Sequence, residues 1–249
     1  MSTGIYEYAV VGNVRVLNKY RDIQETKYSR NKMEIFKRYV MLCVGLLIVA
    51  FGVAFSILAD LGTSPISCPP YVASMLCPLT VGEATIVMHC IFILIQMALL
   101  RKDYDWVQLM QLPVAFAFGY MTDFACWCIA DVPCPNYLMQ VVWCLVGIVL
   151  VGVGVAFEVV AGVVTLAGEG LVLAICKAFK TRFDITKVVV DVSLVALACV
   201  ASLLWLDGRI HGVREGTLAA ALLVGVIAQW CNKPVEKLAE KIGVNNAGK

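Results

Sequence analysis

Apolar residues fall in six long, unbroken runs, near 39–58, 82–100, 107–130, 138–162, 188–206 and 213–231, with short polar connections between them. A helix needs about 20 mostly apolar residues to cross the hydrocarbon core of a bilayer, and each run approaches or exceeds that length. Membrane-spanning strands would instead alternate apolar and polar positions over short segments. These runs are continuous and rich in Leu, Val, Ala and Gly. The pattern predicts an all-α, polytopic membrane protein with six transmembrane helices.

Composition points the same way. Of 249 residues, 61% are hydrophobic and 15% charged, and the mean hydropathy is +0.84. Soluble domains run nearer half apolar and a quarter charged, and a body this small keeps much of its surface in water. A soluble enzyme, a nucleic-acid binder and a disordered regulator are therefore excluded, and the lipid bilayer is the partner the composition demands. The net charge of +2 implies no acidic partner.

The placing of the charges matters more. Residues 1–38 carry eight Lys/Arg against four Asp/Glu, and 59–81 carry no basic residue. Arg101 and Lys102 follow span two, and the connection around Asp131 again has none. Lys177, Lys180, Arg182 and Lys187 precede span five, and Lys233, Lys237 and Lys241 follow span six. Basic residues mark the cytoplasmic connections, so both termini are expected in the cytoplasm of a bacterial cytoplasmic membrane. Arg209 and Arg214 are the discordant pair. The expected organisation is a tail at 1–37, membrane repeats at 38–131 and 138–231, and a second tail at 232–249. The first tail does not read as a signal peptide, because Ala9-Val10-Val11 is far too short an apolar stretch.

The chain also repeats itself. Gly52-Val53-Ala54-Phe55 recurs 102 residues later as Gly154-Val155-Ala156-Phe157, and Ala59 and Thr63 fall on Ala161 and Thr165. Val107 and Gly119 match Val213 and Gly225 at an offset of 106. Each copy holds a span, a short interrupted segment (63–78 or 165–180) and two more spans. Three spans per copy require the copies to cross in opposite directions, giving an inverted-topology repeat with short broken or re-entrant helices. Many secondary transporters are built this way, with substrate held at the paired interruptions.

The first interruption, Asp60-Leu61-Gly62-Thr63-Ser64-Pro65, offers Thr63 or Ser64 as a helix cap and Pro65 for the first turn, with Cys68-Pro69-Pro70 limiting the helix beyond. Its counterpart runs from Thr165 through Gly168, Glu169 and Gly170; glycine there permits close backbone approach. Asp60, Thr63, Ser64, Thr165, Gly168 and Glu169 are the candidate substrate contacts. Ionisable groups within spans are costly unless they face a cavity or partner, which singles out Glu158, Asp191, Asp123 and His89 for coupling or contact. Each has a plainer reading: a Lys187–Asp191 salt bridge one helical turn apart, for example, or His89 as a neutral core histidine. Glu158 lies in a stretch of small residues and has no basic residue within two helical turns.

The stretch Ala59-Asp60-Leu61-Gly62-Thr63-Ser64-Pro65 after span one, with Gly82 near the start of span two, resembles the YczE/YyaS/YitT group of bacterial integral membrane proteins. The resemblance covers about residues 40–125 and extends more weakly to 231. YitT-type members end in a soluble domain with no counterpart here, so the YczE side fits better. The resemblance implies a transporter, and the occurrence of some members beside regulators of the vitamin-B6-sensing type hints at a vitamer. It carries over no functional residue.

The expected function is secondary transport or facilitation of a small polar organic solute, bound between the repeats near the bilayer midplane. No enzymatic role, metal or cofactor is expected: there is no GxxxxGK[ST] motif, and the eleven cysteines form no CxxC. Two alternatives compete. One is the binding subunit of a vitamin uptake complex, docking through Ala50 and Ala54. The other is a non-transporting assembly protein. A homodimer is compatible with each.

Overall fold

The computed structural model describes residues 32–206 and 210–244; the tail before residue 32, Arg209 and the last five residues lie outside it. The described residues form eight α-helices: α1 (Lys32–Ala59), α2 (Cys68–Leu76), α3 (Val81–Leu100), α4 (Gln111–Ile129), α5 (Tyr137–Ala161), α6 (Ala167–Phe179), α7 (Phe183–Trp205) and α8 (Glu215–Ile242). Six are long and apolar enough to cross a membrane, and α2 and α6 are the two short ones. This is an all-helical, multi-pass membrane protein.

The helices overrun the apolar windows. α1 starts at Lys32 rather than at residue 39, and α7 at Phe183 rather than 188. α8 continues through Pro234 to Ile242, so most of the expected second tail is helix. A hydrophobic window marks where lipid begins, and backbone hydrogen bonding does not stop there. Val235, Ala239 and Val244 join the main core, and Lys37 Nζ donates to the Ile242 carbonyl at 2.8 Å. The start of α1 and the end of α8 therefore lie at the same end of the bundle.

α1 and α5 form the centre, and their contact is reciprocal across the repeat. A Cβ added at Gly52 would meet the Val151 backbone nitrogen at 2.7 Å, and one at Gly154 would meet that of Val49 at 2.8 Å. Gly45 lies against Gly154 and Gly147 against Gly52. The two helices thus run antiparallel, and position 49 pairs with 154 as 151 pairs with 52. Only a two-fold axis between the helices produces such reciprocity. Without Cβ atoms the backbones come close enough for strong dispersion contact, the main source of helix association in lipid. Ala50 and Ala54 are buried at this centre and present no docking face to an outside partner.

Other contacts follow the same symmetry. α4 packs on α1 as α8 packs on α5, and α3 packs on α6 as α7 packs on α2. Both central helices end on a left-handed residue one repeat period apart, Asp60 at φ 51° and Gly162 at φ 55°. Glycine adopts that conformation freely and aspartate is among the few others that tolerate it. One contact breaks the symmetry: α3 packs closely on α4, but α7 and α8 make no comparable contact among the described residues.

Candidate functional site

The two interruptions converge on the symmetry axis. Ile66 and Gly168 stand one repeat period apart in sequence, and a Cβ on Gly168 would collide with the Ile66 side chain. Two equivalent residues in contact must lie on the axis. From there the short helices diverge. α2 leads through Cys77 to Thr80 at the start of α3, whereas Lys177 near the end of α6 donates to the Asp103 carbonyl, just past the end of α3, at 2.9 Å. Each is a half-helix with its N-terminal end toward the middle and its C-terminal end at one face, and the two faces are opposite. The junction is apolar, with Ile66, Phe92, Ala167, Leu171, Val190 and Leu194 packed together.

The first half-helix starts later than expected. Pro65 to Ser67 form a turn, and Pro69 and Pro70 fall in the first turn of α2 instead of limiting its far end. Proline suits that position because its missing N–H would have no intrahelical partner. Ser64 Oγ and Ser67 Oγ share a hydrogen bond of 2.8 Å, so Ser64 does not cap the helix. Thr63 is buried; its N–H donates to the Gly212 carbonyl, and its Oγ1 has no partner among the described residues. Asp60 is set apart from these, exposed at the end of α1, where Arg214 Nη1 donates to its carbonyl at 2.8 Å. Arg214 also pairs with Glu215 at 3.4 Å; the orientation rule counts basic residues and not net charge, so Arg214 stays discordant with it.

At the second interruption the glycines admit protein side chains. Gln96 Nε2 donates to the Gln111 Oε1 (3.2 Å) and to the Ala167 carbonyl (3.0 Å). Both amides press on Gly170, where a Cβ would lie 2.8 Å from Gln96 Oε1. This junction matches the one opposite, where Cys68 lies 3.9 Å from Thr217, since Gly170 and Gln111 are the repeat equivalents of Cys68 and Thr217. Thr165 is half-buried, and Glu169 occupies the first turn of α6, where an acid complements the helix dipole. Neither glutamine was singled out from sequence, although a polar residue inside an apolar run is a signal of the same kind as His89.

The intramembrane residues divide clearly. Asp123 is a helix cap: its Oδ1 accepts from Gly82 N (2.7 Å) and its Oδ2 from Thr80 Oγ1 (2.6 Å), adding to the Thr80–Glu83 capping box of α3. Its repeat equivalent Gln229 is exposed and has no such duty. Asp191 takes the plainer reading, paired with Lys187 at 2.7 Å. His89 is buried between α3 and α4, stacked on Phe118 at 5.9 Å, and its Nδ1 has no hydrogen-bond partner among the described residues. Glu158 is only 9% exposed, and its Oε1 has no hydrogen-bond partner among the described residues. It lies seven residues past Val151, about 10 Å along the helix from the axis, so it belongs to the half of the bundle at the C-terminal end of α5 and not to the midplane. Its repeat equivalent Ser56 is satisfied by the Gly52 carbonyl. The eleven cysteines are all free.

Six spanning helices in two opposed halves, with two half-helices meeting on the axis, define an inverted-repeat membrane protein with paired re-entrant segments. Residues 36–233 match the model of a family described as a family of unknown function, DUF6198, and the chain belongs to that family. Neither a curated protein nor a solved structure matches it.

Proposed function

We propose that the protein is a secondary transporter or facilitator of a small polar organic solute, held between the two repeats, in a bacterial cytoplasmic membrane with both termini in the cytoplasm. The observation that carries this reading is the pair of half-helices whose N-terminal ends meet at Ile66 and Gly168 on the symmetry axis. Non-spanning backbone at membrane depth is costly unless it is buried in protein or lines a polar cavity. Two copies placed symmetrically match the arrangement by which opposed repeats exchange access to one site. Of the substrate contacts expected from sequence, Thr63, Gly168 and Glu169 remain the candidates in the interior, and Glu158 joins them from the coupling set. The resemblance to the YczE side of the YczE/YyaS/YitT group agrees with this role.

The test is a thermal-shift screen of the purified protein against vitamers, amino acids, organic acids and amines. It is followed by counterflow of any stabilising compound in proteoliposomes. Saturable counterflow is expected. Binding without counterflow would remove the transport reading. It would favour the alternative, a binding subunit that works only with a partner, for which the largely exposed α7 and α8 supply surface: only 11% and 17% of their most apolar windows are buried. A second copy of the chain could use the same surface.

A further inference from the structure

The two halves share one packing plan and differ in one seam. α3 lies on α4 along its length: a Cβ on Gly119 would strike Ile86 and the Gly82 carbonyl, His89 stacks on Phe118, and Gln96 bonds Gln111. Asp123 fastens the end of this seam, accepting from Gly82 N and Thr80 Oγ1. In the second half α7 stands for α3 and α8 for α4. The register is fixed at two points. α3 and α7 start one repeat period apart, at Val81 and Phe183, and Ala198 packs with Cys68 as Gln96 lies on Gly170. Gly82, Ile86, Gly119 and Asp123 therefore answer to Asp184, Val188, Gly225 and Gln229. Here the seam is open. A Cβ on Gly225 meets nothing within 4 Å, Val188 is 61% exposed, and α7 and α8 stand apart among the described residues.

The chemistry for closing it is present with the roles exchanged. At the closed seam the acid is on α4 and the N–H donor on α3. At the open one the acid, Asp184, is on α7 and the donor, the Gln229 amide, is on α8. Gln229 stands exposed within the apolar run of α8, and a polar side chain in a span is costly there without a partner. Asp184 accepts from the neighbouring Arg182 at 2.7 Å, and a carboxylate has lone pairs left for an amide. Only 11% of the most apolar window of α7 is buried, against 50% for α3, so closure adds packing and moving α7 breaks little. The α1–α5 centre is already symmetric and needs no change.

We propose that α7 is a gate. In a second state it closes on α8, with Val188 against Gly225 and the Gln229 amide donating to the Asp184 carboxylate, while α3 parts from α4 and the Asp123 bonds break. Interchanging the two halves converts the described state into this one. Packed interfaces of this kind switch between discrete arrangements. Access to the site between the repeats then passes from the end of the bundle where α7 starts to the end where α3 starts. This rests on the transporter reading and supplies its moving parts.

The test uses the full-length protein in lipid nanodiscs, open to reagents on both faces, in a cysteine-free background. Ile86→Cys places a thiol inside the closed seam, and its reaction with a water-soluble maleimide reports the parting of α3 from α4. Gly225→Leu fits the open seam and obstructs its closure, so it should slow that labelling at least fivefold while unfolding normally. Closure is read directly with Asp184→Cys and Gln229→Cys together. A short bifunctional thiol reagent should join them at least fivefold more than Leu197→Cys with Gln229→Cys, and Gly225→Leu should suppress the joining. If the cysteine-free protein does not fold, hydrogen exchange of the otherwise native chain takes its place. The Gly82 amide, bonded to Asp123 only in the closed seam, should then exchange more slowly in Gly225→Leu. Labelling at 86, or exchange at Gly82, unchanged by Gly225→Leu would overturn the coupling of the two seams. Joining of 184 to 229 no better than the control pair would overturn the closure of α7. The transporter reading fails separately, by the absence of counterflow in the unaltered protein, which changes neither measurement.

Discussion

At the residue scale, the acids that stand out in the spans have unlike duties. Asp123 and Glu158 look alike in sequence, each a carboxyl within an apolar run. The difference lies in what the fold brings to them: the start of α3 reaches Asp123 from 41 and 43 residues away, and no donor among the described residues reaches Glu158 Oε1. No local pattern could separate the two, because the separating partners are tertiary. A charged acceptor bonded to backbone and hydroxyl donors contributes about 1.5–3 kcal/mol per bond at most, less where water can substitute. Asp123→Ala should therefore destabilise the protein by about 2 kcal/mol, and Asp123→Asn by less, since an amide oxygen still accepts one bond. Thermal unfolding in detergent reads both. Counterflow of a transported solute should survive in each variant, and its selective loss at unchanged stability would return Asp123 to the binding machinery.

At the element scale, the repeat was legible because glycine spacing is visible in sequence, and the same glycines form the α1–α5 crossing. Span number and the two interruptions were legible too, since lipid thickness imposes run length. The exact starts of α1, α2 and α7 were not, because they depend on capping and on packing beyond the bilayer. Nor was the loss of symmetry between α7 and α8. Gly119 and Gly225 are repeat equivalents, yet a Cβ on Gly119 would strike Ile86 while Gly225 has nothing within 4 Å. A paired substitution exposes the difference. Gly52→Ala forces a Cβ against the Val151 backbone, which cannot swing aside as a side chain can, and overpacking of this kind costs about 1–3 kcal/mol. Gly225→Ala meets open space and removes a flexible residue from a helix, a gain of about 0.5–1 kcal/mol. Opposite shifts in unfolding temperature are expected. Equal tolerance at both positions would mean that α1 and α5 do not cross as closely as described here.

At the scale of the whole molecule, the decisive property is which end of each half-helix reaches which face. The C-terminal end of α2 leads to the start of α3, while that of α6 lies beside the far end of α3, so residues flanking them should be reached from opposite sides. Leu79 and Phe179 are both exposed and suit the measurement as single Leu79→Cys and Phe179→Cys variants in a cysteine-free background. A membrane-impermeant maleimide added to intact cells should label position 79, because no basic residue lies between 59 and 81 and that end is expected outside. Position 179 should label only after the membrane is opened. So should a cysteine at Lys37, which bonds the end of α8 and lies beside the basic flank of α1. If 79 and 179 label from the same side, the halves are not inverted and the axis through Ile66 and Gly168 loses its meaning. If the labels appear on opposite sides but reversed, the inverted architecture stands and only the assignment of the termini to the cytoplasm falls.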